Sequence, residues 1–142
     1  MKVVSPSPQV SPAVADHTVV EALCEAAQES GNRYHVGVLQ CKDSFYGQHS
    51  PQTMPVAAEL EAKWQAWIDC GAKASEMESA ALFVVGSVRK VRTGSIMMVF
   101  ANQTRRALGL DDPMCMDTEP AVRVAVDALR RLILKDRESG KA

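Results

Sequence analysis

Three short segments of this 142-residue chain gather side chains able to hold a small polar molecule. They are Lys42-Asp43-Ser44-Phe45-Tyr46-Gly47-Gln48-His49, Ser75-Glu76-Met77-Glu78-Ser79, and Asn102-Gln103-Thr104-Arg105-Arg106. Each directly follows a stretch that reads as a β-strand. In open α/β sheets ligands collect beyond the carboxyl ends of parallel strands. If these strands run parallel, two carboxylates, an aromatic pair and several amides and cations converge on one edge. That is the make-up of a small-molecule site with an apolar floor and few polar pins. No His, Cys, Asp or Glu spacing matches a metal site, and Cys24, Cys41, Cys70 and Cys115 lie far apart without a CxxC pair.

The elements that must carry these segments follow from periodicity. Residues 1–15, with Ser5, Pro6, Ser7, Pro8, Ser11 and Pro12, read as an irregular lead-in, and 16–138 as the domain. Asp16 is placed to cap a helix over 16–30, with Val19, Val20, Leu23, Ala26 and Ala27 on its apolar face and Gly31 at its end. A β-favouring run, 34–41, precedes the first segment, and 42–56 reads as a long loop. Leu60, Trp64, Trp67 and Ile68 repeat at helical spacing over 57–70, and a tiny extended piece at 72–75 leads into an apolar helix over 77–90. Ser95-Ile96-Met97-Met98-Val99-Phe100-Ala101 has the continuous apolar character of a central parallel strand, expected over 93–101 beside 34–41. A final helix over 118–134 shows the stripe Val122, Ala125, Val126, Leu129, Leu132 and Ile133.

This α-β-α-β-α-β-α order predicts a three-layer α/β/α fold with a mainly parallel or mixed sheet. Three visible strands are few for such a sheet, and a run as apolar as 96–100 needs neighbours, so the sheet reads as incomplete. Composition bounds the partners. Sixteen Lys and Arg against seventeen Asp and Glu leave a formal charge of -1, which argues against a dedicated nucleic-acid binder. No apolar run has membrane-spanning length, the N-terminus lacks a secretory signal, and isolated cysteines fit the reducing cytoplasm.

Taken in order, the FYGQ run at 45–48, the EMES run at 76–79 and Val99-Phe100-Ala101-Asn102-Gln103 resemble the uridine phosphorylases of the nucleoside phosphorylase superfamily. The likeness extends over about residues 13 to 134 and corresponds to the C-terminal half or so of such an enzyme. The glycine-rich phosphate loop and phosphate-binding arginines of the family's N-terminal half have no counterpart here. The resemblance implies phosphorolysis of uridine to uracil and ribose 1-phosphate, in pyrimidine nucleoside salvage. Phosphate would be the co-substrate, no organic cofactor or metal would be needed, and the assembly would be a homo-oligomer, hexameric in the family. It implies that Glu78 is the catalytic carboxylate holding both ribose hydroxyls, with Glu76 beside it and Met77 under the sugar. Gln48 would read the uracil edge, Phe45 would wall base and sugar, and Phe100 and Ala101 would line the base pocket. Where many relatives carry arginine, this chain has Ser50 and Gln103; His49 is placed to substitute for the first and Arg105 or Arg106 for the second, with Asn102 and Gln103 as further candidate site residues.

Plainer readings exist for the same residues. Glu76 and Glu78 suit the positive end of a helix dipole, Phe45 and Tyr46 can anchor a loop, His35 reads as a structural histidine inside its strand, and Asp111 and Asp112 as solvated loop charges. Two alternative functions stay open. One is a purine-type nucleoside phosphorylase or nucleosidase, which in the family uses an aspartic acid where this chain has Asn102. The other is a noncatalytic fragment, since no phosphate site is evident.

Overall fold

The computed structural model describes residues 12–140. Most of the expected lead-in, residues 1–11, lies outside the described residues, and residues 12–15 adopt no regular structure. Helix α1 (His17–Glu29) begins as its sequence requires: the Asp16 carboxylate accepts from the Val19 amide at 3.2 Å and from the Thr18 hydroxyl at 2.6 Å. The Thr18 bond is the main reason the Asp16 carboxyl sits below its ordinary pKa. Gly31 follows the helix at φ 72°, a left-handed conformation that glycine adopts without penalty.

Helix α1 packs along the long C-terminal helix α6 (Glu119–Glu138). Ala22, Ala26 and Ala27 meet Val124, Ala128 and Leu132, with Val19, Leu23 and Ile96 at the margin. Alanines let the two backbones approach closely. The seam is flanked by ion pairs: Lys135 to Glu25 at 3.0 Å, Arg131 to Glu25 at 3.7 Å, and Arg131 to Glu29. Of the stripe expected to face the core, only Leu132 is buried in it. Val122, Val126, Leu129 and Ile133 are 40–59% exposed, whereas Val124, Ala128 and Leu132 are buried. The helix is apolar on two sides, and the alanine face of α1 takes the side holding Val124, Ala128 and Leu132.

The sheet is small. Strand β1 (Leu39–Cys41) pairs in parallel with β2 (Ala74–Glu76), in the register Leu39–Ala74, Gln40–Ser75 and Cys41–Glu76. Backbone bonds from Lys73 N to Val38 O and from Lys42 N to Glu76 O, both 2.8 Å, extend the pairing at each end. The connection contains structure where a loop was expected, α2 (Phe45–His49), capped by the Ser44 hydroxyl on Gly47 N at 3.0 Å, and a 3-10 turn at Pro51–Thr53, before the expected helix α3 (Ala57–Asp69). On α3, Trp64 and Trp67 are half-buried. Helix α4 (Ser79–Arg89) follows β2, and the third segment itself forms the short α5 (Gln103–Ala107).

Several expectations need correction. Only Leu39–Cys41 of the 34–41 run is strand, and His35 lies outside it and exposed. The 93–101 run is not a strand: among the described residues no ladder pairs with it. It threads past α1 and α4 instead, with Thr93 O accepting from Asp16 N at 2.8 Å and Gly94 lying so close to Val19 that a Cβ would come within 2.5 Å of it. A run of apolar residues has strand propensity, but a strand exists only when its N–H and C=O groups find a neighbouring strand. Helix α4, expected to be covered on most sides, leaves Leu82, Val85 and Val88 45–76% exposed. The architecture is therefore helices around a two-stranded parallel sheet, short of the three-layer stack that the sequence predicts. No helix among the described residues is long and apolar enough to cross a membrane.

Candidate functional site

The parallel pairing of β1 and β2 sends the segments after both strands to the same edge. Lys42, just past β1, reaches across to β2, where its Nζ donates to Ser75 Oγ at 3.0 Å. The Ser75 hydroxyl in turn donates to Gln48 Oε1 at 2.9 Å. Gln48 Nε2 faces Gln103 Oε1 at 3.5 Å, and Gln103 Nε2 lies 2.5 Å from His49 Nδ1. The His49 ring stacks on Phe45, with centroids 4.1 Å apart and planes at 27°. Lys42 Nζ completes the circle 5.9 Å from the Phe45 centroid. Thus Phe45, Gln48, His49 and Gln103, from the first and third segments, meet on one surface, and Ser75 joins them to the second segment, which continues into Met77 and Glu78.

The carboxylates at the start of α4 have different environments. Glu76 is buried, and one of its oxygens accepts from the Glu78 and Ser79 amides, each at 2.7 Å. It caps α4, as the dipole reading of a helix start anticipates. Burial pushes its carboxyl up, but the Ser79 and Glu78 amides outweigh that and hold it below the ordinary carboxylate value. Its other oxygen is buried without a hydrogen-bond partner. Glu78 is exposed, and among the described residues its side chain accepts only from the neighbouring Met77 amide at 3.1 Å. Its acceptor capacity is therefore largely open to a ligand. Met77 is 38% exposed beside it.

The third segment divides. Gln103 joins the circle, whereas Phe100, Ala101, Asn102 and Arg105 line a neighbouring open cleft of about 440 Å³ with Arg33, Asp111 and Asp112; Gln48 and Glu78 are not among its lining residues. The Asn102 side chain caps α5 by accepting from Arg105 N at 3.0 Å. Arg105 is turned outward, its Nε donating to Asp111 O at 2.7 Å. Asp112 is no solvated loop charge: its nearly buried carboxylate accepts from Asn102 N at 2.7 Å and pairs with Arg106 at 2.8 Å, pinning this loop. Burial, and then the positive charges of Lys42 and Arg106, push the His49 imidazole below its ordinary pKa, so near neutrality it is an uncharged acceptor.

Sequence reasoning gave no role to Lys42, Ser75 or Asp112. Lys42 and Ser75 both lay inside motifs already singled out. What revealed them was the strand register, which no local pattern encodes.

The model of the phosphorylase superfamily matches residues 2–135. This chain belongs to that superfamily. It is 61% identical over 92% of its length to the uridine phosphorylase of Treponema pallidum (strain Nichols), covering 50% of that protein. It is 34% identical over 89% to the uridine phosphorylase of Escherichia coli (strain K12), covering 51%. With the uridine phosphorylase of Thermococcus kodakarensis it shares 34% over 92%, covering 46%. The chain thus spans about half the length of the curated relatives it matches. The phosphorylase superfamily is where the FYGQ, EMES and FANQ runs were expected to belong.

Proposed function

We propose that this chain is the nucleoside-recognition half of a uridine phosphorylase, which cleaves uridine with phosphate to uracil and ribose 1-phosphate. The observation that supports the reading is the parallel β1–β2 pairing, which sets Gln48 on Ser75, in the strand that leads into Glu78. The names of the relatives supply the substrate class. In this reading Glu78 holds the two ribose hydroxyls with its open oxygens, and Met77 packs under the sugar. Gln48 reads the donor–acceptor edge of uracil, with Ser50 and Gln103 where arginines stand in relatives and His49 substituting beside Ser50. Phe45 walls the base and sugar, and Phe100 and Ala101 extend the apolar wall toward the second cleft. Glu76 acts by fixing the turn from which Glu78 projects. The transition state of phosphorolysis is oxocarbenium-like, so a carboxylate held at the ribose hydroxyls gains most as positive charge develops. Asn102, committed to capping α5, offers no titrating proton to a purine ring, which favours the pyrimidine over the purine reading.

The phosphate would be held by a second polypeptide segment. Isolated glycines and the outward Arg105 provide neither an arginine fork nor a row of amides aimed at one anion. The same segment would cover Val99, Phe100 and the α4 face. The enzyme would work as an oligomer in the cytoplasm, without organic cofactor or metal. The test is release of uracil from uridine at saturating phosphate by purified chain, alone and mixed with the N-terminal half of the Treponema relative. No measurable turnover alone and turnover on mixing is the expected result. Turnover of about 1 per second or more by the chain alone, or a stable mixture inert toward uridine, would overturn the reading.

A further inference from the structure

The hydrogen bonds around Gln48 have a direction. The Lys42 ammonium has three donors and no acceptor, so at Ser75 the hydroxyl oxygen must accept. The single Ser75 proton is then free for Gln48 Oε1. With its oxygen turned to Ser75, Gln48 presents its Nε2 hydrogens toward Gln103 Oε1. That leaves Gln103 Nε2 as donor to the His49 ring. Every bond from Lys42 to His49 runs donor to acceptor the same way, and the last acceptor must be an unprotonated imidazole. Ser75 is set for this by the strand register, which places it opposite Gln40, two residues before Lys42. The Lys42 amide bond to Glu76 O then brings the lysine stem over β2. Phe45 closes the circle by stacking on His49 and lying under Lys42 Nζ.

We propose that Lys42 and Ser75 are positioning residues that lock the Gln48 amide in one orientation, so that the base-reading surface has a single donor–acceptor polarity. The proposal rests on the reading of Gln48 as the residue that meets the base. A primary amide free to flip by 180° exchanges its donor and acceptor at little cost. Uracil and cytosine differ along one edge: ring nitrogen N3 donates in uracil and accepts in cytosine, and the group at C4 is a carbonyl acceptor in uracil and an amine donor in cytosine. A locked amide separates the two, and a flipping one tolerates both. A site built to hydrogen-bond one partner rejects the mismatched one because a polar group would be left unpaired. Ser75 therefore acts on discrimination between pyrimidines, through Gln48, without touching the reacting atoms.

The primary test uses the chain by itself and does not depend on activity. In the native chain the His49 ring protons should titrate with a midpoint below the ordinary histidine value of about 6.5. The charged groups facing this ring are Lys42, beyond β1, and Arg106, on α5. Ser75→Ala leaves both charges in place, so a rise of the His49 midpoint toward that ordinary value reads loss of the relay rather than loss of charge. The Gln48 side-chain amide resonances should shift in the same variant, and Ser75→Thr, which keeps the hydroxyl, should restore both signals. Ser75→Ala with His49 and Gln48 signals unchanged overturns the proposal. In the reconstituted enzyme, Ser75→Ala should lower the preference for uridine over cytidine by about tenfold, mainly through KM, with kcat within about twofold; an unchanged preference also overturns it. A mixture inert toward uridine whose His49 and Gln48 signals respond as expected refutes the uridine reading while supporting the relay.

Discussion

The α1–α6 pair buries its apolar seam, whereas the site edge leaves its apolar groups open. Between the helices, three alanines face Val124, Ala128 and Leu132, and salt bridges flank the seam. Those exposed pairs contribute little, about 0–1 kcal/mol each, so the seam holds mainly by burial. At the site edge the polar constellation is well formed while the apolar groups around it stay open. Val99 is 64% exposed, Phe100 43%, Phe45 50% and Val85 58%. Hydrogen bonds between neighbouring loops assemble locally, whereas covering a strand on two faces needs more chain than this edge has. The difference teaches that recognition and enclosure are separable in this fold.

The largest effect that would sharpen the contrast is Leu132→Ala. Leu132 lies in the α1–α6 seam and is 7% exposed, so its truncation should cost about 2–3 kcal/mol, the low end for a buried leucine. Urea unfolding followed by helical circular dichroism measures it, and the Lys42–Ser75–Gln48 signals should vanish only with global unfolding. A change under about 0.5 kcal/mol would mean that the seam is not what holds the helices.

Next is Glu78→Ala in the reconstituted enzyme. Removing a charged acceptor whose hydrogen bonds are each worth about 1.5–3 kcal/mol should cost at least about 2 kcal/mol in kcat/KM, roughly thirtyfold. Helix content should be unaltered, since among the described residues Glu78 accepts only from Met77 N. Undiminished kcat/KM would remove the ribose role.

Glu76→Gln should have the smaller effect, about 1 kcal/mol, because the amide still accepts from the α4 amides but without charge. The Glu76 carboxyl is held below its ordinary value of 4.5 in the folded chain. Its contribution is thus present above pH 4.5 and lost as the pH falls through the lowered folded value. Stability of the native chain should decline below about pH 4.5 more steeply than that of Glu76→Gln. Parallel acid profiles would show that the cap carries no charge-dependent stability.

The longer helices α1, α3, α4 and α6 were legible because each carries its own signal, whereas the short α2 and α5 were not expected. Asp16, Gly31 and Gly71 marked ends, and apolar repeats at helical spacing marked α1, α3 and α6. The site motifs were legible as residue types in order, and β1 and β2 gave the edge that joins them. Two things were not legible. Which face of α6 is buried depended on the small side chains of a helix a hundred residues away. Whether 93–101 becomes a strand depended on neighbours, and propensity records only the willingness to pair. Register lay beyond local pattern too, which is why Ser75 and Lys42 emerged only from the pairing of Gln40 with Ser75.

The central claim is that the site edge is a finished polar surface on an uncovered apolar support. Amide hydrogen exchange across Ser95–Ala101 tests it most directly, compared with Ala22–Ala27 in the same sample. The account predicts unprotected amides at 95–101 in the chain alone beside slow exchange in α1, and protection of 95–101 when the N-terminal half of the Treponema relative is added. Protection of 95–101 equal to that of α1 in the chain alone would contradict it.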